Sequence, residues 1–362
     1  MQPSITLPNT TVEHALVESD VSDWNAFVLH HPRGHLLQMS GWGKLKSSFG
    51  WDCGRVALMG LNGLAAGAQV LFKRRFGVSV AYVPRGPLLS GDETTDRVLM
   101  VALDRLCRRN RAIFLRLEPN LLETEDGADA LHSTLLTQNF QPVDPLQPRS
   151  SIHLDLSPEP DQLLANMSKG HRADVRRAAR EGVQVRQGDS DADVDAFYAI
   201  MQSTSARAEF GIHSRDYYQQ AWRLFQADDR AVLLLAEQNG VAVATAMMFA
   251  DGKNGLYLYS GSTPEGLKSG AQHAIQWQAV QWARAHGCSV YDFWGIPDQF
   301  GQTVSVADET ERMRLETEAK SDPLYGVYRF KKGFGGAVVR YLPAYDRVYV
   351  PPLYRLVRRQ MA

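Results

Sequence analysis

The chain is poor in cysteine, in long apolar runs and in net charge, and each shortage removes a class of protein. Its three cysteines, Cys53, Cys107 and Cys288, stand far apart in 362 residues with no CxxC pair, which argues against a disulfide framework or a cysteine-bound structural zinc. A reducing compartment, the cytoplasm, is the expectation. No run of about 18 apolar residues occurs, and the opening MQPSITLPNT lacks the basic-then-apolar order of a signal peptide, so neither export nor a spanning helix is expected. With 39 basic residues against 40 acidic, the formal charge of −1 gives no general attraction for nucleic acid, and any anion site must be local. There is no GxxxxGK[ST] to cradle a nucleotide, YSGST is not a GxSxG elbow, and HHPRGH (His30, His31, His35) has no carboxylate or cysteine at ligand spacing. ATPase, serine hydrolase and metal-centre readings therefore lack their machinery, and no metal is expected.

What is present is a repeated order of elements. The length exceeds what one hydrophobic core usually serves, so two domains are expected. RVALMGLNGLAAGAQVLF reads as a hairpin turning at Asn62-Gly63, and AVLLLAEQNGVAVATAMMF as another turning at Asn239-Gly240. Each leads to a further strand, an amphipathic helix (DETTDRVLMVALDRLCRRN; SGAQHAIQWQAVQWARAHG) and a short closing strand (AIFLRLEP; SVYDFWGI). One β-β-β-α-β order used twice, separated by the proline-rich QPVDPLQPRS, places the junction near residue 148 and gives domains over 1–148 and 149–341. That order resembles the core of the N-acetyltransferase-like (GNAT) fold. The expected class is α/β (α+β), two tandem GNAT-like domains, each a mixed, mostly antiparallel sheet with flanking helices. TPEGLKSGAQ lacks the (Q/R)xxGx(G/A) pattern with which that fold holds acyl-CoA, which lowers the expectation of a CoA donor.

Three stretches could carry chemistry. In NMSKGHRADVRRAAREGV a helix capped by Ser168 or Asn166 places Arg172, Arg176 and Arg180 on one face, with Val175 and Ala179 on another. This is either a solvated face or a stripe for a phosphate-bearing partner. TSARAEFGIHSRDYYQQ clusters Arg207, Arg215, Tyr217 and Tyr218, suited to phosphate or to packing. In YLYSGS, strand alternation puts Tyr257 and Tyr259 on one face with Leu258 opposite.

Together with LLQMSGWGKLKSSFGW, YVPRGPLL, FLRLEPN and above all GVYRFKKGFGG, these segments resemble the FemABX peptidoglycan aminoacyltransferases over most of the chain. The resemblance implies paired GNAT-like domains, the second carrying most of the active site, with segment 342–362 returning to the first. It implies transfer of an amino acid from aminoacyl-tRNA, with no cofactor, to the side-chain amine of the stem-peptide diamino acid of UDP-MurNAc-pentapeptide or lipid II, by a monomer. The long helical arm of staphylococcal-type members has no counterpart, which suits the shorter, arm-less type. Lys331 with Phe330 aligns with the family's FK pair, and Lys331 is the expected oxyanion partner. Phe330, Gly333, Phe334, Gly335 and Gly336 are expected to exclude water and admit substrate. Lys46 or Lys44, Arg207 or Arg215, Tyr218 and Tyr259 fall near the contacts to the precursor, and Lys169, Arg172 and Arg176 would face tRNA phosphates. Glu118 stands where relatives carry an aspartate; it, the leaving ribose hydroxyl or a substrate phosphate would take the amine proton. The insertion over 299–325 reads as a lid, a subfamily helix or a tRNA contact. PPLYRLVRRQMA docks on the first domain or touches an anionic membrane at its inner face. An acyl-CoA-dependent N-acyltransferase and a non-catalytic binder of UDP-sugar peptides are the alternatives.

Overall fold

The computed structural model of the chain describes residues 21–61, 63–208 and 210–358. It divides into two compact units, one of residues up to Arg149 together with those from Tyr341 onward, the other Ser150–Arg340.

In the first unit, β1 (Asp52–Gly60), β2 (Gly63–Arg75) and β3 (Val78–Val83) form an antiparallel meander, and β4 (Ala112–Leu117) adds in parallel to β3. The helix Glu93–Arg109 crosses between them. Asp92 caps it by accepting from the Thr95 N–H, Glu93 and Asp96 sit in the first turn, and Arg108 and Arg109 in the last, matching the helix dipole at both ends. Its apolar face, with Leu99, Leu103 and Cys107, is buried in the sheet's core. After β5 (Gln141–Val143) the sheet waits for the chain's end.

The second unit begins with β6 (Ser150–Asp155) and adds β7 (Gln184–Gln187), the hairpin β8 (Ala231–Gln238) and β9 (Val241–Ala250), β10 (Asn254–Ser262), β11 (Val290–Asp292) and β12 (Ala337–Arg340), in the order β12-β6-β11-β10-β9-β8-β7. Asn239 and Gly240 both have positive φ (54° and 77°), the backbone that a two-residue hairpin of this hand requires. Asn62, the first half of the other expected turn, lies outside the described residues. The helix Ala271–Ala285 carries the crossover from β10 to the parallel β11 and buries Ile275, Ala279 and Val280 on the sheet.

Finally β13 (Ala344–Val348) inserts between β4 and β5, completing the first sheet as β1-β2-β3-β4-β13-β5. A buried ion pair fixes it: Arg116 on β4 donates through Nε and Nη2 to the two oxygens of Asp346, 2.8 Å each, and the Tyr354 hydroxyl adds a third bond at 2.9 Å. No helix among the described residues is long and apolar enough to cross a membrane.

Candidate active site

The second sheet opens where β10 and β11 part. They pair in parallel only from Asn254↔Val290 to Leu256↔Asp292. Beyond that point β10 stays with β9, while the chain after β11 stays with β6 through Phe293 N–H to Ile152 O (3.0 Å) and Ile296 N–H to Ser150 O (3.1 Å). A β-bulge falls at the parting. Tyr257 opposes Met248 and Tyr259 opposes Met247, so Leu258 is an extra residue. Adjacent residues of β9 face opposite ways, and so therefore do the two tyrosines. The expected shared face of Tyr257 and Tyr259 is thus corrected: Tyr257 turns toward the helix Ala271–Ala285, and Tyr259 toward the helix Arg215–Gln226.

Lys331 reaches the parting from the last turn of the helix Tyr325–Lys332, where basic residues suit the dipole. It is 7% exposed, its Nζ donates to Trp294 O (3.1 Å) and Gly295 O (2.7 Å), and it stands 6.0 Å from the centre of the Tyr257 ring. The turn receiving it is held from both ends. Trp294 adopts φ +62°, uncommon for a bulky side chain, and its N–H donates to Asp292 Oδ1 at 2.7 Å. Burial pulls the Lys331 ammonium down to about 7, against a weaker opposing pull from Asp292. Burial alone would raise the Asp292 carboxyl, but His153, the Ser151 hydroxyl and the Trp294 N–H outweigh it and hold it well below the usual range. Lys331 is therefore a desolvated ammonium that titrates near neutrality beside a fixed carboxylate.

Phe330 packs against His273 and Phe334 at 5.1 and 5.2 Å between ring centres, and its carbonyl meets His171 Nε2 at 2.7 Å. The glycines of YRFKKGFGG do not open the backbone to a ligand as expected. A Cβ on Gly333 would stand 1.9 Å from the His171 ring, and one on Gly336 2.5 Å from Ile152, so both positions are small because the unit packs against itself there. Phe334 is fully buried between them.

Ser168 caps the helix Lys169–Arg180, as one of the two expected residues. On its inward face Ala178 is buried, while Ala179 is exposed. Lys169, Arg176 and Arg180 are exposed, whereas Arg172 donates to the Ala165 and Met167 carbonyls and so closes the end of the preceding helix. Of the arginine pair, Arg215 is engaged by Asp195 and by Gln219 (3.2 Å), while Arg207 is exposed and donates to Ser262 O at 2.9 Å, at the end of the strand that carries Tyr259. Tyr218 is buried; its hydroxyl accepts from the His213 N–H at 3.1 Å and its ring packs edge-on to Tyr259, 5.0 Å between centres.

Three expected residues belong to the first unit. Lys44 is exposed, and Lys46 is half-buried with its Nζ 5.0 Å over the Trp42 ring. Burial, and then the nearby Lys73, lower Lys46 to about 8. Lys73 lies 5.4 Å over Trp51, so two lysines from different elements, each backed by a tryptophan, make a cationic patch whose second member no motif revealed. Glu118 is 4% exposed and its oxygens accept from the Tyr82 hydroxyl (2.7 Å) and the Leu146 and Gln147 N–H groups. Burial raises its pKa. Its bonds organise the 146–147 backbone, which is structural work for a carboxylate.

The insertion folds as two helices, Asp298–Gln302 and Glu309–Ala319. Phe300 stacks on Tyr328 at 3.6 Å and 11°, so its first turn props the helix that carries Lys331.

A meander, a crossover helix and a strand that adds in parallel define a GNAT-like fold, here present twice, and only in the second unit does the parallel strand part from its neighbour. A tandem GNAT protein of the clavulanic acid biosynthesis pathway shares it with a TM-score of 0.54 at 12% identity, covering 91% of this chain and 94% of that one. The crystal structure of FemX matches with a TM-score of 0.81 at 20% identity, over 94% of this chain and 99% of that one. The FemAB family profile matches residues 20–240 and 236–359, and the chain belongs to the FemAB family. Among relatives, the lipid II:glycine glycyltransferases of Staphylococcus saprophyticus and Staphylococcus aureus are 22% and 23% identical, each match spanning 92% of this chain and 92% and 93% of theirs.

Proposed function

We propose that the chain is an aminoacyltransferase that moves an amino acid from aminoacyl-tRNA to the side-chain amine of the stem-peptide diamino acid in a peptidoglycan precursor. The observation that carries this reading is Lys331, a buried ammonium held at the parting of β10 and β11. Membership of the FemAB family and the glycyltransferase relatives support the substrate class.

The chemistry is an ester becoming an amide, downhill without a cofactor. The neutral amine attacks the ester carbonyl, the C–N bond forms, and the carbonyl electrons collect as an oxyanion. On collapse the C–O bond breaks and the ribose oxygen leaves, and the proton the amine gives up passes to that oxygen or to a substrate phosphate. Lys331 supplies the cation for the oxyanion, worth most where water is excluded. Glu118 is committed to its own unit's backbone, so the leaving ribose oxygen or a substrate phosphate takes the proton. Within the first unit Lys46 and Lys73, and separately within the second unit Arg207, are cations suited to a precursor's phosphates. Lys169, Arg176 and Arg180 face the RNA backbone, with Arg172 supporting the helix from behind.

The test is mass spectrometry of the precursor after incubation with bulk charged tRNA. A gain of one amino-acid residue on UDP-MurNAc-pentapeptide or on lipid II, dependent on tRNA, supports the reading and names both the amino acid and the acceptor. Transfer from acyl-CoA without tRNA, or no gain on either precursor, contradicts it.

A further inference from the structure

The helix Ala271–Ala285 turns two glutamines inward one turn apart, each meeting a tyrosine hydroxyl: Gln272 donates to Tyr257 at 2.9 Å, and Gln276 to Tyr291. Gln276 lies under the paired part of β10 and β11, fully buried, and its carbonyl oxygen too has no hydrogen-bond partner there, out of reach of any ligand. Gln272 lies at the parting, 8% exposed, and its carbonyl oxygen is buried without a hydrogen-bond partner. A buried acceptor left unpaired is costly to keep, and a ligand N–H that reaches it recovers that cost. Tyr257 passes the chain on to Ser260, which is half-buried and is its most exposed member.

The chain Gln272, Tyr257, Ser260 therefore ends in an acceptor at the amide and a hydroxyl near the surface, and its middle member has its ring centre 6.0 Å from the Lys331 Nζ. A donor whose carbonyl faces Lys331 carries its α-amine one carbon away. A neutral acceptor suits that ammonium, where a carboxylate would bind it too firmly to release, and a fatty or acetyl group offers nothing to pair with it. We propose that Gln272, ordered by Tyr257 and Ser260, is the subsite that reads the free α-ammonium of the transferred aminoacyl group. This rests on the aminoacyl-transfer reading and adds to it the reason an aminoacyl donor is chosen over a plain acyl donor.

The test uses full-length protein and unreactive donor mimics, glycyl- and alanyl-3′-amino-3′-deoxyadenosine, against their acetyl and propionyl counterparts, with binding read by calorimetry. The wild type should prefer each free-amine mimic by at least about tenfold. Gln272→Leu should abolish that preference by weakening only the free-amine mimics, and Gln272→Glu should retain it. Equal weakening of both sets, or an undiminished preference in Gln272→Leu, overturns the subsite. So does a wild type that binds neither set, or both alike. Transfer from charged tRNA, measured separately on the same protein, decides whether the aminoacyltransferase reading falls with it: turnover without discrimination sinks the subsite alone.

Discussion

The two units share a core strand order, β1-β2-β3-β4 and β8-β9-β10-β11, and differ at the parallel seam that ends it. In the first, β3 and β4 stay paired from Ser79↔Ala112 to Val83↔Leu117 across one register shift, and an antiparallel bridge between Gly86 and Glu118 follows. Two charged groups buried along it are matched inside the unit, Glu118 by Tyr82 and two backbone N–H groups and Arg116 by Asp346. In the second, the corresponding pair, β10 and β11, ends after three residues, and the groups at its end are a desolvated lysine and a glutamine oxygen without a partner. A closed seam leaves a scaffold, and the same seam left open leaves room for a candidate site. The difference lies less in the strands than in the bulge at Leu258 and the turn at Trp294, which keep them apart.

The sharpest way to break this comparison is to unbalance the closed seam. Asp346→Ala strands the Arg116 guanidinium in a dry interior and should cost about 3–5 kcal/mol of stability in a denaturant titration. An effect under about 1 kcal/mol would mean the pair closes nothing. Next is the open seam, where Lys331→Ala should lower kcat by roughly 10²-fold or more with the fold intact by circular dichroism. A loss confined to KM would place Lys331 in binding instead. Gly333→Ala drives a methyl into the His171 ring and should cost about 1–3 kcal/mol, with hydrogen exchange rising first in the helix Tyr325–Lys332. The smallest effect belongs to the first unit's cationic patch: Lys73→Ala should raise KM for the precursor a few-fold, more steeply at low salt, with kcat unchanged. A fall in kcat alone would remove Lys73 from phosphate binding.

The repeated order of elements was legible because hairpin turns and strand and helix periods are local. Asn239-Gly240 announces its turn by residue type alone. The bulge was not legible, because one extra residue in β10 leaves the alternation of YLYSGS looking regular while reversing the face of every residue after it. Gln272 reads in sequence as an ordinary polar residue near a helix start, and only the fold shows it turned inward. Lys331 stands out by its motif, but its burial comes from residues 36 and 37 positions earlier, the Trp294 turn, which no spacing rule connects to it. Arg172 looked like its neighbours Arg176 and Arg180 because helical spacing says nothing about the carbonyls that end the helix before it.

The central claim, that a cationic Lys331 works at the open seam, is tested most directly by the pH dependence of transfer between pH 6 and 8.5 under conditions where chemistry limits the rate. The attacking amine becomes neutral as pH rises toward its ordinary value near 10.4, while Lys331 loses its proton through about 7. The two trends oppose, so the wild-type rate should climb to about pH 7 and then level off. The much slower Lys331→Ala variant should keep climbing, about tenfold per pH unit. Parallel profiles in the two proteins would contradict a cationic role for Lys331.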